Sequence, residues 1–421
     1  MNLTGYIRDA QDAFSRVNRS VPEYALVVQG RFHAFALAKS LIALDMPVRI
    51  ITNYPAFMAE RFGVARKHVT GCAPLGLLHR YAHRWDLPQR FDAVNRFLHV
   101  SFSRWAARQV VKMKPELVHA FSGVAADIYD ALDHEKIDSL KILARGSAHI
   151  REQHRDLYRE SIRADCPDID IPGPWMIRRE MEEYRRSDHI LTLSSYARNS
   201  FLQRGYSPEK ILMLELGSNV KQFRPDREVV DRRIDRLRSG KKMTVLYTGN
   251  VSLQKGIIDL IDTARALAGK VHFRVVGNIV ADAASRVEVA RDVIEFLPRV
   301  PEHELPGIYA DADAYVFPTL HDGYAAVLAQ ARAGCLPIVS TDHCAAPDMI
   351  VNGESGWIVP TRRADLLIDR LQALDQDREA TIKMVENLWQ KCDTRDWSDV
   401  GRDFIVLAAR AFRRREALRR R

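Results

Sequence analysis

Long apolar runs are missing from this chain of 421 residues: none reaches the about 18 apolar residues that a membrane-crossing helix needs. Cysteine is scarce as well. The five cysteines, Cys72, Cys166, Cys335, Cys344 and Cys392, are scattered, odd in number and without C-x-x-C spacing. That argues against a disulfide framework and a zinc site, and points to a reduced compartment. The opening residues, MNLTGYIRDAQDAFSRVNRS, lack the apolar core of a secretory leader, so the expected location is the cytoplasm. Low-complexity segments and short repeats are absent from the sequence. So is a G-x-G-x-x-G run, and with it the usual form of a dinucleotide site.

What is present is ordinary for a globular protein, 47% hydrophobic and 28% charged. The length exceeds a single ordinary core, and two domains are expected. The net charge of +9 is unevenly placed: the last eleven residues, AFRRREALRRR, hold six Arg and one Glu and so carry +5 of it. Such a tail suits peripheral contact with anionic lipid on the inner membrane face, or else a plain solvated helix end. Nucleic acid is not an expected partner.

Residues 24–28, YALVV, read as a short strand, followed by helical spacing in HAFALAKSLIALD and a second strand at 48–53, VRIITN. Strand, helix, strand within thirty residues is a βαβ unit and implies a parallel sheet. The first turn carries Gly30, Arg31 and His33, candidates for an acceptor-side site; His33 reads equally as a polar residue at a helix start. Residues 56–112 read as helices in which Arg alternates with aromatics, as in Arg80-Tyr81, Arg84-Trp85 and Arg96-Phe97. The expectation is an amphipathic core pair with its aromatics turned inward. The alternative is a membrane interface or a phosphate-bearing acceptor site. Further strands are expected at LVHAF (117–121) and KILARG (141–146). His119 in the first of these reads by itself as a packed core histidine. The charged, weakly patterned stretch 221–242 marks a boundary. The expected division is 1–210 for a first Rossmann-like domain, 211–242 for a linker, 243–390 for a second domain, and 391–421 for a C-terminal helix and basic tail.

Residues 309–337, YADADAYVFPTLHDGYAAVLAQARAGCLP, organise the second half. An apolar strand breaks at His321-Asp322-Gly323 and feeds a helix of small residues, which is how open α/β sheets present a ligand site. Asp322 and Gln330 are eight residues apart, so both can line one cleft. Upstream, TGNVSLQKG (248–256) sets Lys255 at a helix start, a phosphate-binding corner.

These motifs in this order, with DGYAAVLAQARAGCLPIVST, APDMIVNGESGWIVP and the upstream SDHILTLSSYARNSFLQRG, resemble the retaining family-4 glycosyltransferases. GRFHAFALAKSL and ARGSAHI resemble the bacterial surface-polysaccharide branch. The resemblance spans nearly the whole chain except about 55–115 and the tail. It implies a GT-B fold, two Rossmann-like domains facing across a cleft, with C-terminal helices crossing back to the first domain. It also implies sugar transfer from a nucleotide donor with retention, to a lipid-linked or oligosaccharide acceptor, with no required metal or other cofactor. Lys255 matches the lysine that neutralises the donor diphosphate, while Asn250 stands where an arginine is usual, so half of the clamp is either missing or supplied elsewhere, by Arg31 or Arg145. Asp322 and Gln330 stand at the positions of two glutamates, one beside the donor sugar and one on the ribose. Gly249, Gly323, Tyr324 and Ala325 complete the donor site. Arg299 and Val300 occupy the nucleobase side, after Pro298 in place of the common glycine. His119 matches a histidine near the donor sugar, and Gly30, Arg31, His33, Arg145 and His149 fall on the acceptor side. A nucleotide-sugar epimerase of the same fold and a degenerate nucleotide-sugar-binding protein are the alternatives.

Overall fold

A computed structural model describes residues 23–85, 87–217, 220–391 and 395–419. The opening twenty residues, Cys392, and Arg420 and Arg421 of the tail lie outside the described residues. The first sheet holds β1 (Tyr24–Val28), β2 (Val48–Thr52), β3 (Val69–Gly71), β4 (Leu117–Phe121), β5 (Leu140–Ala144), β6 (His189–Thr192) and β7 (Ile211–Met213), in the order β3-β2-β1-β4-β5-β6-β7. The second holds β8 (Met243–Thr248), β9 (Val271–Val276), β10 (Ile294–Leu297), β11 (Ala314–Phe317), β12 (Ile338–Thr341) and β13 (Gly356–Val359), in the order β10-β9-β8-β11-β12-β13. All pairings are parallel. Parallel strands are covered on both faces, which is why β1, β4 and β11 are buried along their whole length and read as unbroken apolar runs. In each sheet the order reverses beside the first strand, between β1 and β4 and between β8 and β11. The carboxyl ends of those pairs are where ligands of such folds sit.

The helices that matter below are α1 (Ala34–Ala43), α2 (Ala73–Arg84), α3 (Asp92–Met113), α4 (Ile150–Ala164), α5 (Pro174–Arg186), α6 (Ser195–Leu202), α7 (Arg227–Arg238), α8 (Ile257–Ala266), α9 (Ala326–Ala333) and α10 (Trp397–Arg419). The C-terminal α10 does cross back: Phe404, Ile405, Ala408 and Phe412 are buried with Tyr24, Leu37 and Leu41 in the core of the first domain. Its basic end is tied to that domain by ion pairs from Arg415 and Arg419 to Asp138. Among the described residues no helix is long and apolar enough to cross a membrane. Among the described residues Cys72, Cys166, Cys335 and Cys344 form no disulfide.

The stretch expected as a linker is built otherwise. Residues 211–213 are β7, the edge of the first sheet, and α7 packs into the core of the second domain through Val230, Ile234 and Leu237. In the same stripe lies Arg233, fully buried, whose guanidinium donates to the carbonyls of Tyr309, Ala312, Gly334 and Cys335 at 2.8 to 2.9 Å. Those carbonyls close the helices Leu305–Ala310 and α9, so one cation satisfies two helix C-termini that the chain turns inward. Burial lowers the Arg233 pKa to about 10, which leaves it charged at neutral pH. Arg233→Ala removes the donor that four buried carbonyls share, and those of Gly334 and Cys335 depend on it more than those of Tyr309 and Ala312, which also accept from the Ala312 amide and from Arg236. It is expected to cost about 3–5 kcal/mol, seen as a lower denaturant midpoint; a cost under about 1 kcal/mol would show the carbonyls are satisfied without it.

Residues 73–97 also depart from expectation. Tyr81, Trp85, Phe91 and Phe97 face outward, not into a core, although Phe102 further along α3 is buried as expected. Helical spacing places the aromatics on shared stripes but does not say which stripe turns inward.

Candidate active site

The second domain brings Lys255 and Asp322 together. Lys255 ends a tight turn, Leu253–Lys255, after β8, and Gly256 follows with φ of +75° to open α8. A Cβ on Gly256 would lie 1.9 Å from the carbonyl oxygen of Pro318, so only glycine lets this turn press against the end of β11. That close approach sets Lys255 Nζ 2.5 Å from Asp322 Oδ2. The other carboxylate oxygen accepts from the amides of Tyr324 at 3.0 Å and Ala325 at 2.8 Å, at the start of α9. Burial alone raises a carboxyl's pKa; here the ammonium and the two amides outweigh it and hold Asp322 below its ordinary value. Ala325 adopts the left-handed conformation, φ +63°, to deliver its amide.

The other positions expected on the donor side lie on several elements of this domain. Gln330 on α9 is half-buried and its Oε1 accepts from Tyr309 Oη at 3.1 Å. Gly249 and Asn250 follow β8; Asn250 is exposed, and its backbone oxygen accepts from Tyr247 Oη. Arg299 is exposed beyond β10, while Val300 packs on the core. The Tyr324 side chain turns away from the site to donate to the Leu216 carbonyl in a small cluster with Leu193 and Ala345. Gly323 lies against the first domain: a Cβ there would be 1.9 Å from the Gly146 carbonyl oxygen, so the loop that carries Asp322 touches its neighbour with no room for a side chain.

The first domain contributes a cavity of about 1070 Å³ at the carboxyl ends of β1 and β4. Gly30, Arg31, His33 and Arg145, four of the residues expected on the acceptor side, line it. Gly30 is fixed by its amide to Asn53 Oδ1 at 2.6 Å, and Arg31 stacks on Phe62. Arg145 is held by Glu180 at 3.2 Å, Gln153 at 2.5 Å and the Ala148 carbonyl at 3.0 Å, commitments that bind it to the cavity wall. Burial lowers His33 to about 4, so it is neutral near pH 7. His33 Nε2 and Gln29 Oε1 are buried here without a protein partner. Neutral donors and acceptors of that kind suit hydroxyl groups.

Two expected residues are elsewhere. His119 is fully buried in the middle of β4, with Nδ1 2.5 Å from Tyr24 Oη and its ring stacked on Phe404; burial, with His33 nearby, lowers it to about 3. It is a core histidine. The end of the same strand, Phe121, lines the cavity instead. His149 caps α4 by accepting from the Arg151 amide, and its ring packs among Tyr184, Phe201 and Tyr206, outside the cavity.

Sequence reasoning missed two groups. Glu183 on α5 accepts from the amides of Gly123, Ala125 and Ala126, so the helix start after β4 is already occupied by a carboxyl group of the protein itself. Burial raises Glu183 to about 7. The second group is Asp156 on α4. Its Oδ2 lies 3.3 Å from His343 Nδ1 and 3.6 Å from His321 Nδ1 of the second domain, while Ser147 Oγ lies 2.6 Å from His321 Nε2. Glu152, Asp156 and Glu160 recur at four-residue spacing on one buried stripe of α4. Glu160 pairs with Arg362, and Arg163, on the same helix, pairs with Asp259. Acids at i, i+4 and i+8 were the readable signal.

Residues 242–377 match the family described as Glycosyl transferases group 1. The chain is similar to the putative colanic acid biosynthesis glycosyltransferase WcaL of Salmonella typhimurium, 26% identical over 52% of this chain and 56% of that protein. It is also similar to the amylovoran biosynthesis glycosyltransferase AmsK of Erwinia amylovora, 23% identical over 53% of this chain and 58% of that one. The chain thus matches little more than half the length of these relatives. Among solved structures, HepE of Anabaena in complex with UDP and glucose superposes with a TM-score of 0.64 over 92% of this chain and 99% of that one, at 14% identity. WaaG, a glycosyltransferase involved in lipopolysaccharide biosynthesis, does so with 0.59 over 91% and 99%, also at 14%. At such identity the likeness is one of fold. Residues 242–377 thus match the Glycosyl transferases group 1 family within a two-domain α/β architecture of the GT-B type.

Proposed function

We propose that the chain is a retaining glycosyltransferase of bacterial surface polysaccharide synthesis, moving a sugar from a nucleotide-sugar donor to a lipid-linked or oligosaccharide acceptor. The observation that carries this reading is Lys255, held by Asp322 at the β8/β11 switch point, with the first-domain cavity at the β1/β4 switch point. A departing nucleoside diphosphate needs positive charge where its own negative charge develops. Lys255 and the start of α8 supply that charge, and no metal is required. Asp322 leaves Lys255 to the phosphate and takes sugar hydroxyls instead. Gln330 keeps its amide nitrogen for the ribose while Tyr309 holds its oxygen. The cavity, lined by neutral His33 and Gln29, holds the acceptor hydroxyls. Retention follows from front-face attack, with the donor phosphate oxygen receiving the acceptor's proton.

The test is thermal unfolding with a panel of nucleotide sugars, followed by assay of nucleoside diphosphate release. A donor at about a hundredfold excess over its Kd stabilises by about 2.7 kcal/mol. For a chain of this size that is a rise of about 3 °C, taking ~2 cal/mol/K of unfolding entropy per residue. No shift with any nucleotide sugar would overturn the reading. A second reading, binding without turnover, is favoured by Asp322 itself, because its carboxylate already neutralises Lys255 and occupies both amides at the start of α9. A shift with every acceptor inert would select it.

A further inference from the structure

Helix α2 is inside out. Leu77, Tyr81 and Trp85 recur at four-residue spacing and are 54%, 58% and 67% exposed, with Leu78 beside them, while the inward stripe offers only Leu75, His79 and Ala82. A soluble helix places its apolar stripe on the core; this one presents it to solvent. The pattern continues beyond α2. Of the fifteen large apolar residues exposed in the described chain, eight fall between positions 32 and 97, including every exposed Phe and Trp. Concentration of that kind marks an interaction surface.

We propose that this face docks on an anionic lipid bilayer. Its charges fit that partner. Arg80 and Arg84 are exposed on α2 among the apolar residues, and Arg31 and Arg96 are exposed beside Phe32 and Phe97 in sequence, with Asp92 the exposed acid next to Phe91. An aromatic and leucine stripe flanked by arginines is the chemistry of a segment lying in a bilayer's headgroup boundary, with the rings at the acyl edge and the guanidinium groups among anionic headgroups. The position of the cavity separates a bilayer from a protein partner. Phe32, Leu77 and Arg80 belong both to this face and to the cavity wall, so the cavity opens where the face makes contact. A protein seated there seals the mouth, whereas a bilayer delivers lipid-borne molecules into it. That last step rests on the transfer reading. The docking itself does not, and its measurement is independent of activity.

The test is flotation of the full chain with vesicles of phosphatidylcholine, alone or mixed with phosphatidylglycerol. Wild type is expected to float with the mixed vesicles, less so at high salt as screening grows, and poorly with phosphatidylcholine alone. Leu78→Ser/Tyr81→Ser/Trp85→Ser, three positions outside the cavity wall, is expected to lower the bound fraction about tenfold or more. Arg84→Glu/Arg96→Glu is expected to do the same on the mixed vesicles. Far-UV circular dichroism and an unchanged thermal midpoint establish that the variants are folded, and Trp85→Phe keeps binding because the ring is retained. Deleting residues 413–421 changes binding by less than about twofold, since Arg415 and Arg419 of that tail pair with Asp138. The proposal is overturned if wild type floats with neither vesicle, as it would were the face a protein interface. It is equally overturned if the folded triple variant floats like wild type, or if both vesicle types bind alike.

Discussion

Lys255→Ala is expected to lower kcat for nucleoside diphosphate release by roughly 10²–10³-fold, the effect of removing one preorganised charge from a developing anion. The size follows from how the lysine is held. Its ammonium has the Asp322 carboxylate at 2.5 Å and the Phe317 ring beneath it, and the Gly256 turn fixes its backbone against β11. A preorganised cation of this kind needs no reorientation when the phosphate charge forms. Asp322→Asn supplies the complementary result. It frees Lys255 from its carboxylate partner, so donor KM falls, while the weaker hydrogen bond to the sugar lowers kcat. A variant that merely unfolded the loop would raise KM and lower kcat together. Wild-type turnover in Lys255→Ala would remove this site from the reaction. If neither wild type nor variant turns over, loss of the donor-dependent thermal shift in Lys255→Ala still identifies Lys255 as a donor-binding group.

This pair was legible in the sequence because its geometry is written in short-range features: an apolar strand, a glycine that permits a tight turn, and a helix start. The parallel strands were legible for a related reason, since burial on both faces leaves no polar alternation to confuse. What escaped depends on which surface a pattern meets. The stripe Val230, Arg233, Ile234 and Leu237 has helical spacing, but the arginine in it reads as solvent-facing until the carbonyls of two other helix ends are brought to it. His119 stands on a strand that does end at the cavity, two residues short of that end, and the pleat and burial commit it to Tyr24 and Phe404. The outward aromatics of α2 have the periodicity of a core helix, and periodicity carries no sign. Asp156 meets partners 165 and 187 residues away, at His321 and His343, a pairing created only when the two domains face each other.

Asp156→Asn is expected to be the second large effect, and to depend on pH. The carboxylate is 1% exposed where α4 meets the second domain, with Tyr196 Oη 3.3 Å away and two imidazoles beyond it. Burial opposes its charge, yet hydrogen bonds and charge from His321 and His343 hold its pKa well below the usual carboxylate value. The imidazoles respond in opposite senses. Burial pushes both down, but Asp156 lifts His343 above 6.5, whereas His321, enclosed on all sides, stays below it. The charged partner is His343, which is nearer to Asp156 and keeps 21% exposure. Its raised pKa adds stability that is fully present below pH 6.5 and is lost as pH rises through the raised value. His321 acts in reverse, stabilising above 6.5 and weakening as pH falls and it is forced to take a proton. Asp156 itself loses its contribution only in strong acid. Asparagine leaves His343 without its counter-charge, so the variant loses the alkaline limb that wild type shows. Breaking the buried pair costs about 3 kcal/mol, or about 4 °C of unfolding midpoint for this chain length at ~2 cal/mol/K per residue. The gap is expected to be widest near pH 6 and to narrow steadily towards pH 9, read from midpoints of both proteins across that range. A gap that stays constant over the whole range would mean that Asp156 holds the domains by packing and neutral hydrogen bonds. Because His321 immediately precedes Asp322, and its carbonyl accepts from Gln254 beside Lys255, the same variant is also expected to raise donor KM at every pH where the pair is intact in wild type.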